Sequence, residues 1–170
     1  MLNKNVEKEM NDQINAEFWS AYLYLSMSAY CSDVGFAGAA NWFKIQFQEE
    51  QAHADKLMNY IISRGGKVTL KPIEKVKTTW ESLLDAFKDT LAHEKKVTAM
   101  IHHLYEVAEK EKDYASQIML QWFINEQVEE EETAQEMIDA LTMIGDGYGL
   151  YQFDKALAAR VYTPTETEKE

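Results

Sequence analysis

A carboxylate and an imidazole stand three residues apart in the segment Glu50-Gln51-Ala52-His53. Residues at this spacing lie on one face of an α-helix, so Glu50 and His53 could bind one metal ion together. Such a pair also arises often by chance in helical sequences, where both side chains face solvent. The segment therefore indicates a metal site only if other parts of the chain support it.

A second carboxylate, Glu17, falls in an apolar stripe between Ile14 and Ala21. An ionised carboxylate buried there would cost several kcal/mol unless a positive charge meets it. A salt bridge could supply that charge, but the stripe around Glu17 contains no basic residue, and Lys8 is at least two helical turns away. A bound cation is the simpler explanation.

Glu94 is bracketed on its predicted helix face by Leu91 and Val97. This placement fits a third inward carboxylate. It also fits an ordinary surface acid of an acidic protein.

The acidic run from 125 to 132 would usually be a solvent-exposed helix face. Here apolar residues precede it at 122–124 and follow it at 137–141, so some of its side chains should face inward. Gln127 and Glu130, three residues apart, are the pair that we place on the interior face.

Together these positions predict one buried site to which four helices contribute. Four carboxylates and two divalent cations would nearly neutralise one another. Carboxylates with one imidazole suit iron, with zinc and manganese as competitors on affinity, and we assign the redox chemistry to iron. The predicted donors are Glu17, Glu50, His53, Glu94, Gln127 and Glu130.

Helical periodicity, with two prolines and seven glycines in 170 residues, predicts an all-α protein whose long helices would position these donors. The predicted helices run from Asn3 to Ser32, from Gly38 to Arg64, from Thr79 or Trp80 to Lys112, and from Tyr114 to Ile144. Thr78 or Thr79 should cap the third helix, and Asp113 the fourth. A short fifth helix should span Leu150 to Arg160. We expect one domain, residues 1–160, followed by a polar tail, residues 161–170.

The segment Lys67 to Thr79 contains Pro72 and is too long for a tight reversal between neighbouring helices. It predicts a crossover along the bundle, so that the third helix starts from the far end. Four-helix bundles with one long crossover connection are an established arrangement, although the length of the segment alone does not prove it.

The net charge of -12 disfavours nucleic acid and anionic membranes as partners and favours small cations. One cysteine, Cys31, excludes a disulfide framework and suits a reducing compartment, so the cytoplasm is the expected location. No signal peptide or membrane-spanning run is expected.

Apolar side chains surround the first predicted helix and crowd the second, at Trp42, Phe43, Ile45 and Phe47. A monomer exposing both surfaces would aggregate, so the pattern favours an obligate oligomer.

Over nearly its whole length the chain resembles the non-haem bacterial ferritins. The resemblance rests on Asn15-Ala16-Glu17, Glu49-Glu50-Gln51-Ala52-His53, His93-Glu94, Leu120-Gln121-Trp122-Phe123 and Glu126-Gln127-Val128-Glu129-Glu130-Glu131, in this order.

The resemblance implies that Glu17, Glu50 and His53 hold one iron, and that Glu50 bridges to a second iron near Glu94, Glu130 and Gln127. A third iron is implied at Glu49, Glu126, Glu129 and Glu130. Tyr24 resembles the family's redox-active tyrosine, although its spacing suits a plain core aromatic equally well.

The implied function is iron storage with ferroxidase activity. Two Fe(II) ions would react with dioxygen or hydrogen peroxide at each dinuclear site, and the oxidised iron would mineralise inside a hollow cage of twenty-four subunits. The fifth helix would lie near an axis of this cage.

Bacterioferritin is a nearby alternative, but it carries a haem-ligating methionine where this chain has Gln51, so no haem is expected. Its fourth helix, like that of rubrerythrin, carries a second Glu-x-x-His, where this chain has Gln127 and Glu130. Rubrerythrin also needs a cysteine-bound iron module, which Cys31 alone cannot build. Starvation-type mini-ferritins place their ligands between subunits.

An alternative of a different class is a helical scaffold whose acids only keep the surface soluble. His102 and His103 do not belong to the predicted site, since they lie about 12 Å along the helix from Glu94 at ~1.5 Å per residue.

Overall fold

Five α-helices form the described part of the chain, residues 1–164, in the computed structural model. Within that range there is no β-strand, so the all-α prediction is confirmed. The helices are α1 (Lys4–Asp33), α2 (Ala37–Ser63), α3 (Leu83–Lys110), α4 (Tyr114–Ile144) and α5 (Tyr148–Leu157).

Most helix ends follow from local chemistry. The Asn3 side chain caps α1 by accepting a hydrogen bond from the amide of Asn5, and Asp113 caps α4 by accepting one from Ser116. Gly65, just beyond the end of α2, has φ of +69°, a conformation in which a side chain would be strained. These ends agree with the sequence prediction to within one or two residues.

The predicted start of α3 was wrong. The helix begins at Leu83 with Ser82 as its cap, whose hydroxyl accepts from the amide of Asp85 at 3.0 Å, and not at Thr79 or Trp80. Trp80 is instead buried outside the helix, and its indole N–H donates to Asp89 at 2.8 Å. Packing of this indole against the core takes precedence over the local capping preference of Thr78 and Thr79.

Hydrogen bonds between helix ends establish the topology. The amide of Leu2 donates to the carbonyl of Arg64 at 3.1 Å, so α1 and α2 are antiparallel. Asn3 at the start of α1 donates to Glu111 at the end of α3, so α3 runs opposite to α1 as well. The predicted crossover lies along α1, where Asn11 and Ser26 donate to the carbonyls of Lys67 and Lys77 respectively.

The apolar core has two clusters, one toward each end of the bundle. On α1, residues up to Ile14 belong to one cluster and residues from Leu23 onward to the other. The same change of cluster occurs on α2, α3 and α4. The predicted donors on all four helices fall between the clusters, so a polar layer separates the two halves of the core.

The prediction that α2 exposes its crowded apolar side chains was wrong in part. Trp42, Phe43 and Ile45 are buried within a single chain, so they need no second subunit to cover them. On α1, the apolar side chain of Tyr22 is half exposed.

The fifth helix is shifted toward the amino end of its predicted span and packs on α2 and α4. Of the predicted tail, residues 165–170 lie outside the described residues. None of the described helices is long and apolar enough to span a membrane.

Candidate metal centre

Six predicted donors are buried together in the polar layer of the bundle. Each long helix contributes at least one of them, because each helix carries a polar position between its two apolar stretches. They are Glu17, Glu50, His53, Glu94, Gln127 and Glu130.

Glu17, Glu50 and His53 form the tightest group. Each offers one ligand atom, and these atoms all lie within 4.8 Å of one another. His53 Nδ1 is 3.5 Å from Glu50 Oε2, as expected for side chains three apart on one helix. This spacing allows one cation to contact all three side chains.

Glu94 is tied to two other helices. Its carboxylate accepts hydrogen bonds from the hydroxyl of Tyr24 on α1 and from Gln127 Nε2 on α4, the latter at 3.1 Å. Gln127 Nε2 also lies 3.3 Å from the main-chain oxygen of Glu94. Tyr24 is fully buried and stacks on Phe43, with ring centroids 6.2 Å apart, so the hydroxyl has a fixed position.

Two buried glutamines that the sequence argument missed orient the remaining carboxylates. Gln13 Nε2 donates to Glu17 at 2.8 Å, and Gln46 Nε2 donates to Glu130 at 2.9 Å. Gln13 and Gln46 each lie one turn before a predicted ligand on the same helix, and that spacing was the available signal. The side-chain oxygen of Gln46 is buried and accepts no hydrogen bond within residues 1–164.

Burial raises the pKa values of the central carboxylates. The pKa of Glu94 rises to about 7 and that of Glu130 to about 8, in both cases mainly because burial penalises the charged form. Burial, followed by repulsion from Glu94, raises the pKa of Glu50 well above its ordinary value. Without a bound cation, Glu50, Glu94 and Glu130 are therefore easier to protonate than an ordinary carboxyl group.

No lysine or arginine in the described part of the chain forms an ion pair with Glu17, Glu50, Glu94 or Glu130. Buried carboxylates normally require a partner of opposite charge. Oxygen ligands with one imidazole suit hard or borderline divalent ions. The residues present therefore fit iron, in agreement with the chemistry expected from the sequence.

A second group of potential ligands adjoins the first. His53, Glu126 and Glu130 also offer ligand atoms within 4.8 Å of one another, and His53 Nε2 is 3.8 Å from Glu126 Oε1. Glu129 is exposed, and Glu49 forms an ion pair with Arg160 at 2.7 Å. The structure thus brings Glu126 and Glu130 together with His53, while Glu49 has a different partner.

Aromatic rings surround the imidazole of His53. Trp122 and Phe123 meet it edge-on, with centroid distances of 5.4 and 6.2 Å. These contacts restrict rotation of the ring, so its two nitrogens keep facing Glu50 and Glu126.

Two further histidines lie outside the site, as predicted. His102 and His103 are exposed, and His103 Nε2 is 3.7 Å from Glu9. Cys31 is a buried thiol whose pKa burial raises to about 12, so it is poorly suited to bind metal.

Comparison with known proteins identifies the family. The ferritin-like domain matches residues 7–144. A bacterial non-heme ferritin of Staphylococcus haemolyticus is 44% identical over 163 residues, covering 95% of this chain and 98% of the relative. One of Staphylococcus aureus is 41% identical with the same coverage.

Solved structures of ferritins also resemble this chain closely. A closed form of the Archaeoglobus fulgidus ferritin, engineered by site-directed mutagenesis, superposes with a TM-score of 0.95 at 43% identity, covering 96% of this chain and 100% of that one. The open-pore ferritin of the same archaeon has a TM-score of 0.93 at 42% identity, covering 95% and 100%. With the four-helix bundle and its buried carboxylate layer, these matches show that the chain belongs to the ferritin family, with bacterial non-heme ferritins among its relatives.

Proposed function

We propose that this protein oxidises Fe(II) at a dinuclear site inside each bundle and stores the ferric product in a hollow cage built from copies of the chain. The observation that carries the proposal is the buried carboxylate layer. Its four acids come from four helices, have no lysine or arginine partner among residues 1–164, and lie beside one imidazole. Two divalent cations would neutralise them.

One iron would be held by Glu17, Glu50 and His53, whose ligand atoms already lie within 4.8 Å. Glu50 would bridge to a second iron near Glu94, Glu130 and Gln127. Repulsion between Glu50 and each of Glu94, Glu17 and Glu130, which contributes to its raised pKa, supports a bridging position.

In the proposed reaction each of two Fe(II) ions loses one electron. Dioxygen accepts these two electrons and two protons to become hydrogen peroxide; with peroxide as the oxidant, two electrons and two protons give two waters. Two adjacent irons make the step a two-electron reduction, which avoids release of one-electron products. Tyr24, hydrogen-bonded to Glu94, would keep that ligand in position.

A third iron would bind at Glu49, Glu126, Glu129 and Glu130, on the way from the dinuclear site to the cavity. The grouping of Glu126 and Glu130 beside His53 Nε2 supports this location. Glu49 and Glu129 would have to move toward the ion.

The assembly we propose is a cage of twenty-four chains, with residues 1–160 as its single structural domain. The relatives are ferritins of similar length, and the net charge of -12 favours the collection of cations over contact with nucleic acid or anionic membranes. We place the protein in the cytoplasm. The mass of the particle in solution, about two dozen chains or one, tests the assembly.

Anaerobic Fe(II) titration tests the site. We expect about two tightly bound ions per chain, lost in Glu50→Ala and in His53→Ala because each change removes a ligand. Matched controls on an exposed face of α3, Glu106→Ala and His102→Ala, should bind as the parent protein does. Absence of saturable binding in the parent would favour the scaffold alternative, in which the acids only solubilise the bundle.

A further inference from the structure

The fifth helix is attached to the start of α2, and the residues just after it reach Glu49 of the proposed third iron site. Asp154 on α5 accepts hydrogen bonds from the amides of Gly38 and Ala39 at 3.1 and 2.8 Å, at the start of α2. No side chain of α2 itself caps this end, so the carboxylate of α5 supplies the cap. The two helices are thereby locked together.

Close backbone contact at Gly38 strengthens this attachment. A Cβ atom added there would lie 1.6 Å from the main-chain oxygen of Asp154, so only glycine allows the approach. This close contact therefore fixes the position of α5 on α2.

Arg160, just beyond α5, reaches from this anchored helix to Glu49. Its Nη2 lies 2.7 Å from Glu49 Oε2, and its Nη1 donates to the carbonyl of Trp42 at 3.3 Å. The guanidinium also lies over the Trp42 ring, 4.6 Å from its centroid, and Asn41 donates to the main-chain oxygen of Arg160. Glu49 and Trp42 therefore hold the guanidinium in one place, while Asn41 holds the main chain of Arg160.

The carboxylate of Glu49 is therefore already paired with a positive charge, the guanidinium of Arg160. The residues able to share an ion near the dinuclear site are His53, Glu126 and Glu130, and Glu49 is absent from that group. Both members of the Arg160–Glu49 pair are about three-quarters buried, each with a side-chain exposure of 24%, so solvent screens their attraction only in part.

We propose that Arg160 is a positioning residue that withholds Glu49 from the third iron site, and that it competes there with a metal ion. The third site then binds iron more weakly than it would if all four carboxylates were available. The number of irons bound tightly per chain stays at two. A weak third site suits a position through which ions pass toward the cavity, since tight binding would block the passage. This inference rests on the proposed dinuclear function.

The test is anaerobic titration of the assembled protein with Fe(II) alone, with binding measured by calorimetry. Arg160→Gln should bind the third ion roughly tenfold more tightly, because the competing charge-assisted hydrogen bond is lost. Arg160→Lys, which keeps the charge but loses the planar fork, should lie between the two. Lys155→Gln removes the same charge from exposed α5 without contacting Glu49, and should match the parent.

A double-mutant cycle isolates the pair. Glu49→Gln should weaken the third ion more in the Arg160→Gln background than in the parent, because only there is Glu49 free to bind. Equal third-ion affinity in the parent, Arg160→Gln and Arg160→Lys would overturn the inference. Loss of the first two ions from the parent protein would instead count against the dinuclear site, so the two failures can be told apart. If Arg160→Gln does not assemble, the third-ion affinity of Arg160→Lys is compared with that of the parent.

Discussion

The hydroxyl of Tyr24 on α1 donates a hydrogen bond to the carboxylate of Glu94 on α3, across the middle of the bundle. Both side chains are fully buried, and Gln127 on α4 donates to the same carboxylate. One predicted iron ligand is therefore held by two neighbouring helices before any metal binds, so its geometry can be altered without removing a ligand.

Tyr24→Phe should leave the number of bound Fe(II) ions unchanged and slow their oxidation about tenfold, because one buried hydrogen bond to a charged ligand is lost. Stopped-flow absorbance of the ferric product measures the rate. Tyr22→Phe is the control, because Tyr22 is half exposed and lies two residues away on the same helix. A rate equal to that of the parent would mean that Tyr24 is only a core aromatic.

Gln127→Leu should weaken the second Fe(II) by about tenfold while sparing the first, since Glu94 loses its amide donor and becomes harder to ionise. Calorimetric titration separates the two ions. The exposed Gln135→Leu, also on α4, should change neither. Equal weakening of both ions would contradict the assignment of Gln127 to one side of the pair.

The metal-free protein should lose stability as the pH rises from about 5 to 8. The folded-state pKa values of Glu94 and Glu130, about 7 and about 8, exceed the ordinary value of 4.5. Their neutral forms therefore stabilise the fold fully below the ordinary pKa, and this contribution disappears as the pH passes the raised values. Denaturant unfolding at several pH values measures the effect.

Bound divalent metal should reverse this trend, because the ligands bind it in their ionised forms and release protons. In the metal-free protein Glu130→Gln should flatten the profile, since the side chain no longer titrates. A metal-free stability that rises over the same interval would show that the carboxyl groups are not buried together.

Lys112→Gly should raise the free energy of unfolding by up to about 1 kcal/mol. Lys112 lies between α3 and α4 and has a positive φ, +55°, a conformation in which a side chain is strained. Lys110→Gly, two residues earlier at the last position of α3, should instead lower stability. Thermal or denaturant unfolding measures the stability of both variants. If both substitutions destabilise the protein, Lys112 is not strained.

Much of the architecture was predictable because it is local. Helical periodicity and caps such as Asp113 act within one or two turns, and the three-residue spacing of Glu50 with His53 guarantees a shared face once the helix exists. The start of α3 was not predictable, because burial of the Trp80 side chain and its bond to Asp89 depend on residues of the assembled core.

The sequence by itself determined which residues could face inward on each helix, and hence that four carboxylates and an imidazole were available to one site. Only the tertiary structure decided which of them touch. Tyr24 meets Glu94 across 70 positions of the chain, and Arg160 meets Glu49 across 111. Neither contact can be predicted from helical periodicity. The first depends on how α1 and α3 are rotated against each other, and the second depends on the attachment of α5 to α2.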